Sequence, residues 1–433
     1  MDRELLLKWV EEQNPWWRGR GCLRPEIDWP RREAYDEVKR RVLADNLVTA
    51  VTGLRRVGKT TLLKQLIGDL LETEGDKFRL VYFSFEEYTL AQKPEFLQLL
   101  VDSWRERFGQ GKIIFVLDEI QYVDYWNALV KRYVDLDRRL KFVVSGSSAL
   151  FLKTKARESL AGRILETVLP PAGFGEYLRL TGKERGSLTD LEAIDLFHQY
   201  LCWGEFPYLS NLTGWKEKRE YVENWVLGKV VEIDLPKYQR VIRPAELKDL
   251  VRVLLERPGQ LVELQNLASD LGLAKNTLRH YLDLLEQCHL MYQMPNCGAG
   301  FRNRGSRSRR IYPTAVNLAA LKLTSGPDSE SFALRAGELV ETYVAGYLKR
   351  RNPDVYFFRR ADKEVDFVDA YPEKKVPIEV KYQGQIRSED LKSLLGYCKK
   401  EGIKRALVVT KNKAGEEVWG GVEVEFVQAY QLA

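Results

Sequence analysis

The chain has 433 residues, 45% of them apolar and 30% charged, and a net charge of +6. That balance excludes a disordered or collagen-like chain, leaves room for roughly two to four domains, and makes nucleic acid a partner to consider only where the positive charge clusters. No apolar run approaches the length of a membrane span, and Cys22, Cys202, Cys288, Cys297 and Cys398 are scattered without zinc or redox spacing.

The three histidines, His198, His280 and His289, suggest no metal cluster; each is expected as an ordinary helical residue. The start, Met1-Asp2-Arg3-Glu4, lacks a basic stretch leading into a small-residue cleavage site, so no secretion signal and a cytoplasmic location are expected. Asn14-Pro15-Trp16-Trp17 opens an aromatic, basic segment running to about Arg32, in which Pro25 and Pro30 oppose continuous helix. A helix is predicted from Arg31 to Leu43. Leu47 to Val51 reads as a short buried strand, and Thr61 to Leu71 places apolar residues at helical spacing.

Between them lies Gly53-Leu54-Arg55-Arg56-Val57-Gly58-Lys59-Thr60, which fits the P-loop pattern G-x-x-x-x-G-K-[ST], with Thr61 next in line. The two glycines permit turns that a side chain would block. The loop amides and the helix start then point at phosphates, where the helix dipole also favours negative charge. Lys59 is expected on the β- and γ-phosphates of ATP, and the Thr60 hydroxyl on Mg²⁺. Leu80 to Phe85 reads as a second strand, ending at Glu86-Glu87.

Lys112 to Leu117 is apolar after its first residue, as a central parallel strand requires. Asp118-Glu119 closes it. There Asp118 stands beside the Mg²⁺ shell and Glu119 orients the attacking water, at the strand end where open α/β sheets bind ligand. Lys141 to Val144 is a further strand, ending in Ser145-Gly146-Ser147-Ser148. Ser145 and Ser147 are candidates either for contact with the γ-phosphate or lytic water, or for a helix N-cap. The alternation of strands and helices from Leu47 to Leu169 predicts a parallel sheet wound on both faces.

Phe174 to about Tyr238 reads as helical, broken at Gly204 and Pro207. In the unit from Val241 to about Leu323, Leu264 to Leu271 and Lys275 to Gln287 form two helices joined at Gly272, a helix-turn-helix. Leu290 to Met294 and Arg309 to Pro313 would be strands flanking a Gly/Ser/Arg loop, completing a winged helix. Arg302, Arg304 and Arg307 on that loop, with Arg309 and Arg310 beside it, suit phosphate contacts. Lys275, Asn276 and Arg279 open the candidate recognition helix. A protein-docking module with a solvated wing is the alternative.

Thr324 to Asp328 reads as a linker, and Ala336 to Val344 as an amphipathic helix carrying Glu341. Val355 to Arg359 and Glu364 to Val368 read as a strand pair. Strict alternation there puts Val365, Phe367 and Asp369 on one face and Glu364, Asp366 and Val368 on the other. Val376 to Lys381 is the third strand. Glu379 and Lys381, two apart, face one way, and Asp366 can join them from the neighbouring strand. Oxygen ligands so placed suit Mg²⁺, with Asp366 and Glu379 as ligands, Glu341 completing the shell, and Lys381 positioning water or phosphate. Ordinary exposed strand charges are the alternative.

Gly53 to Thr60, Ile113 to Glu119, the Ser145 to Ser148 turn and the Gly162-Arg163 pair resemble the AAA-type ATPase core. More narrowly, they resemble a prokaryotic family in which that core is fused to a C-terminal nuclease-like domain; Glu341, Asp366, Glu379 and Lys381 resemble the PD-(D/E)xK nucleases. The resemblance implies a P-loop ATPase core with N-terminal extension over 1–170, a helical lid over 171–240, a winged helix over 241–325, and an α/β restriction-endonuclease-like domain over 326–433. It also implies that Arg31, Arg32 or Tyr35 packs on the adenine, against a solvated helix face. Gly204 and Pro207 would form a turn near the base. Arg163 would be an arginine finger, with Arg157 its competitor and a surface ion pair the alternative; such fingers often come from a neighbouring subunit, so a homo-oligomer fits. The function implied is an ATP-hydrolysing protein acting on nucleic acid, DNA first, with Mg²⁺-dependent cutting of phosphodiesters. The rival is a nucleotide-switched ATPase that binds DNA or a partner and cuts nothing.

Overall fold

The computed structural model describes residues 3–18, 25–44, 47–74, 78–86, 89–146, 160–238, 243–298, 308–371 and 374–432. The chain divides into two compact units, Met1–Pro170 and Pro171–Ala433. Among the described residues no helix is long and apolar enough to cross a membrane, and Cys202, Cys288, Cys297 and Cys398 are free thiols.

The first unit runs α1 (Arg3–Gln13), α2 (Tyr35–Ala44), β1 (Val48–Thr52), α3 (Lys59–Thr73), β2 (Phe78–Ser84), α4 (Pro94–Phe108), β3 (Lys112–Asp118), α5 (Trp126–Leu136), β4 (Leu140–Gly146) and β5 (Ile164–Val168). All five strands are parallel, in the order β2-β3-β4-β1-β5. Fully buried strands explain the unbroken apolar runs: β1 and β4 are buried at every position, and β3 at all but Lys112. Phe115 and Phe142 face each other in register on β3 and β4 and stack at 5.5 Å. The predicted helix from Arg31 begins later, at Tyr35.

The aromatic N-terminal segment has a structural task that its composition did not announce. β2 is an edge strand, with a row of backbone groups facing away from β3. Side chains from the end of α1 and just beyond take that row. Asn14 Oδ1 accepts from the Tyr82 N–H (2.8 Å), and Asn14 Nδ2 donates to the Tyr82 and Val10 carbonyls. Gln13 Oε1 accepts from Ser84 N–H, and Trp17 Nε1 donates to the Leu80 carbonyl. Leu6 and Val10 of α1 are buried in the same core as Trp104 and Phe96.

The second unit begins with helices α6 (Phe174–Leu180), α7 (Asp190–Trp203) and α8 (Trp215–Tyr221), a π-helix over Val222–Asp234, and α9 (Leu235–Tyr238). Next come α10 (Pro244–Glu256), β6 (Leu261–Val262), α11 (Leu264–Asp270), α12 (Lys275–Gln287), β7 (Met291–Pro295) and β8 (Arg309–Pro313). The three strands form an antiparallel sheet in the order β6-β8-β7. After α13 (Val316–Ala319), the helix predicted around Glu341 is longer than its apolar pattern suggested: α14 spans Glu330–Arg351, with Ser329 accepting from Phe332 N–H at its start. A six-stranded mixed sheet follows, built from β9 (Val355–Arg360), β10 (Lys363–Ala370), β11 (Lys375–Lys381), β12 (Arg405–Thr410), β13 (Gly415–Trp419) and β14 (Val422–Gln428), with α15 (Lys392–Glu401) between β11 and β12. Its order is β13-β14-β12-β11-β10-β9.

Helices α6 and α7 do not form a body of their own. Phe174, Phe197 and Tyr200 share one core with Leu339, Tyr343 and Val344 of α14, with Phe357, Phe367 and Ile378 of the sheet, and with Met294 and Tyr312 of the small sheet. At the end of α7, the Asn317 side chain donates to the Tyr200 and Leu201 carbonyls, the first of which also accepts from Gly204 N–H. Asn317 N–H donates to Glu205 (3.0 Å), a carboxyl that is 2% exposed and whose pKa burial pushes up to about 7.

Strict alternation on β10 fails. Val365 pairs with Phe358 and Val368 with Tyr356, so Asp366 and Phe367 together oppose Phe357 in a β-bulge. Val365 and Val368 consequently pack with Tyr397 and Cys398 of α15, while Phe367 enters the core on the α14 side. The other side of β9, the sheet edge, is met by the chain leaving β7: Asn296 bridges to Phe357, Cys297 N–H donates to the Phe357 carbonyl, and the Asn296 side chain bonds both the N–H and the carbonyl of Arg359.

Two stability tests follow. Asn14→Ala removes the side chain that bonds both the N–H and the carbonyl of Tyr82 and is expected to cost about 2–3 kcal/mol in urea unfolding of the amino-terminal unit. Glu205 keeps its proton in the folded state up to about pH 7, whereas in the unfolded chain it ionises near its ordinary value of 4.5. Its contribution is therefore full below the unfolded value and is lost as pH rises through the folded one. Between about pH 5.5 and about pH 8.5 wild type should lose about 2 kcal/mol more than Glu205→Gln, read by urea unfolding at both pH values.

Candidate functional sites

The loop between β1 and α3 sits at the carboxyl end of β1, with β4 on one side of that strand and β5 on the other. Gly53 has φ +146°, and a Cβ there would lie 2.2 Å from the Leu169 carbonyl oxygen. Gly58 has φ +99° and starts α3. Both positions require glycine. Leu54 and Val57 are buried, and Arg56 is exposed at φ +67°. Arg55 turns inward to Glu86 (3.0 Å) and the Tyr122 hydroxyl (2.7 Å). Lys59 Nζ donates to the Gly53 and Leu54 carbonyls at 3.2 Å each and lies 3.8 Å from Glu119. Its ammonium is thus held inside the loop, where phosphate oxygens would replace the carbonyls.

Asp118 ends β3 beneath this loop. Thr60 Oγ1 (2.7 Å) and the Tyr82 hydroxyl (3.0 Å) donate to its Oδ2, and Ser145 Oγ donates to Oδ1. Burial, then the neighbouring Glu119 charge, pushes its pKa upward. Ser145 Oγ also accepts from Glu119 N–H (3.0 Å), so this serine joins the two acidic residues and caps no helix. Glu119 adopts φ +53° and accepts from the Gln121 side-chain amide. Thr60 and Asp118 thus present adjacent oxygens to one point, which fits an oxygen-seeking divalent ion at the nucleotide.

The residues expected on the adenine are otherwise engaged. Tyr35 is buried and donates to Asp69 Oδ2 (2.6 Å), and the Arg31 guanidinium lies over the Tyr35 ring and pairs with Asp69. Arg32 donates to the Val57 and Pro170 carbonyls and so buttresses the loop from behind. Sequence reasoning missed Tyr82, Gln121 and this role of Arg32. Tyr82 alone had a signal, a polar-tipped aromatic in an otherwise apolar strand. Ser147 and Arg157 lie outside the described residues. Arg163 stands at the amino end of β5, where its carbonyl accepts from Val48 N–H and its side chain, 39% exposed, pairs with Asp135 at 2.6 Å. The length of β1, about 15 Å, separates it from this chain's own loop.

In the second unit, Glu341, Asp366, Glu379 and Lys381 come together, with one residue among them that was expected elsewhere. Arg310, placed beside the solvated wing by its sequence, is only 8% exposed and points the other way. Its Nη1 donates to Glu341 Oε1 (2.9 Å), to the Tyr312 hydroxyl (3.2 Å) and to Asp366 Oδ1 (3.5 Å); its Nη2 donates to Glu364. Tyr312 in turn donates to the same Glu341 oxygen (2.6 Å).

The bulge on β10 aims Asp366 at β11, where its Oδ2 accepts from Val380 N–H (2.9 Å). Lys381 pairs with Glu379 at 2.9 Å. Burial, then the charge of Asp366, lifts Glu341 to about 7 and Glu379 to about 8. Among the described residues no three His, Cys, Asp or Glu side chains converge closely enough to hold a metal ion; a guanidinium lies among the carboxylates instead. Arg302, Arg304 and Arg307 fall outside the described residues. Lys275 opens α12 as expected, with Arg279 one turn on, both partly buried.

Residues 45–178 match the family model of an AAA domain. Residues 194–325 and 336–429 match two domains of unknown function (DUF8612 and DUF4143). An uncharacterized protein of Haemophilus influenzae is 25% identical over 410 residues, 93% of this chain and 98% of that protein. Among solved structures, Caenorhabditis elegans PCH-2 is 15% identical at a TM-score of 0.25, covering 41% of this chain and 48% of its own, so this chain spans about half of PCH-2. The replication initiator DnaA, bound to AMPPCP and single-stranded DNA, is 15% identical at a TM-score of 0.33, over 61% of this chain and 93% of its own. The parallel sheet, the glycine loop and the family match over 45–178 together make the amino-terminal unit an AAA-type P-loop ATPase domain.

Proposed function

We propose that this chain hydrolyses ATP in the cytoplasm to control a nucleic-acid enzyme carried by its second unit. The observation that carries the first half is the 2.7 Å bond from Thr60 to Asp118, which joins the phosphate loop to the acidic strand end. Bound ATP and Mg²⁺ would supply the transferable phosphoryl group and the charge that steadies it. Lys59 would exchange its two carbonyl partners for phosphate oxygens. Thr60 and Asp118 would hold the ion, and Glu119, steadied by Gln121, would orient the water and accept its proton. Arg163 would act on the nucleotide of a neighbouring copy, since it cannot reach its own, so the active form would be a homo-oligomer.

The order α10-β6-α11-α12-β7-β8 supports a winged helix, with Lys275 and Arg279 meeting DNA and Arg302, Arg304 and Arg307 supplying phosphate contacts. The convergence of Asp366, Glu379 and Lys381 supports a nuclease-like centre using Mg²⁺ held by Asp366 and Glu379, completed by Glu341, with Lys381 placing the scissile phosphate. Arg310 among those carboxylates favours a second reading: a nucleotide-switched protein that binds DNA or a partner and cuts nothing.

Lys59→Ala should lose binding of a fluorescent ATP analogue. Glu119→Gln should keep binding while phosphate release falls about 100-fold or more, and Arg163→Ala should slow turnover without weakening binding. Normal turnover in the Lys59 or Glu119 variant would remove the site assignment. Any nicking of a supercoiled plasmid in Mg²⁺ or Mn²⁺ should disappear in Asp366→Asn and in Lys381→Ala. A plasmid left uncut under every metal and nucleotide condition, by Arg310→Met as well as by wild type, selects the switch.

A further inference from the structure

We propose that Arg310 is an internal counter-ion that keeps divalent metal out of the acidic cluster, so that the centre of the second unit is held inactive by its own chain. The inference rests on the nuclease-like reading for the identity of the centre, and on geometry for the inhibition. Nη1 of Arg310 lies 2.9 Å from Glu341 Oε1 and 3.5 Å from Asp366 Oδ1, the space between two carboxylates that a bridging cation would occupy. Nη2 engages Glu364 as well. A planar fork with five donors can satisfy several acceptors at once, and it stays charged at any pH a protein survives.

Charge balance points the same way. Glu341, Glu364, Asp366 and Glu379 are faced by Arg310, by Arg359 on Glu364 (3.4 Å) and by Lys381 on Glu379. The carboxylates that surround Arg310 therefore have little charge left for a further cation. Mg²⁺ and Mn²⁺ need oxygens at about 2.1 Å with no donor between them. Here Tyr312 and Arg310 both donate to the one Glu341 oxygen that faces Asp366. The guanidinium is also locked from behind. It packs on the Phe357 ring at 5.4 Å, and its backbone pairs with Leu261 and Met294 in the small sheet. Arg310 touches no substrate; it acts on the centre by occupying it.

Calorimetric Mn²⁺ titration of the full, nucleotide-free chain tests this directly. Wild type should show no site that Asp366→Asn removes. Arg310→Met, similar in length and uncharged, should gain one Mn²⁺ site at least about tenfold tighter than anything in wild type, and that site should vanish when Asp366→Asn is added. A folded Arg310→Met that binds no more Mn²⁺ than wild type overturns the proposal, as does a wild-type site that depends on Asp366. If Arg310→Met does not fold, Arg310→Lys carries the test, because an ammonium cannot bridge Glu341 and Glu364 as the fork does. It should gain Mn²⁺ affinity about threefold or more, and an unchanged affinity overturns the proposal. New Mn²⁺ binding without plasmid cutting would sustain the role of Arg310 and reject the nuclease reading. Cutting by wild type, with no gain in either variant, would do the reverse.

Discussion

A carboxylate taken out of water must be met by donors or give up its charge, and both units are arranged around that demand. In the first, Asp118 is met by three hydroxyls, from Thr60, Tyr82 and Ser145, each on a different element. Those contacts tie α3, β2 and β4 to the end of β3, so the phosphate loop and the acidic strand end cannot drift apart. In the second, four carboxylates meet on one flank of the sheet, and the answer is a guanidinium delivered from another sheet. The ATPase site uses neutral donors that an incoming ion can share with the carboxylate. The second site uses a full positive charge, which an incoming ion must displace.

Much of the first unit was legible because its signals are local. A buried strand, a glycine loop and an amphipathic helix occupy 26 consecutive residues from Val48 to Thr73, and the backbone geometry at Gly53 and Gly58 leaves little choice of residue. The apolar run of β3 likewise announces burial on both faces. What stayed hidden were partners distant in sequence. Nothing in Asn14 or Trp17 says that they will face the edge of β2, more than sixty residues on. Nor does Arg32 reveal that it props the loop instead of meeting a base.

In the second unit the motif was readable and its setting was not. Glu379 and Lys381 share a strand face, as their spacing requires. The bulge at Asp366 and Phe367 has no sequence mark, and it shifted the alternation of β10 from Phe367 onward. Arg310 is the sharper case. A cluster of arginines reads as a solvated wing because composition reports charge without direction, and the strand period puts alternate residues of β8 on opposite sides. Helices expected as a separate lid share their core with α14, because shape complementarity between distant apolar faces leaves no trace in either one.

The closure of β9 by Asn296 and Cys297 has a consequence for how the second unit can be divided. The outer rim of the large sheet is completed by chain that precedes α14. A fragment starting at that helix would carry away the acidic cluster without its guanidinium, and would expose a row of unpaired amides and carbonyls along β9. Such a piece invites strand-to-strand association with its own kind. The small sheet is thus less an appendage than the hem that keeps the larger one from unravelling into its neighbours.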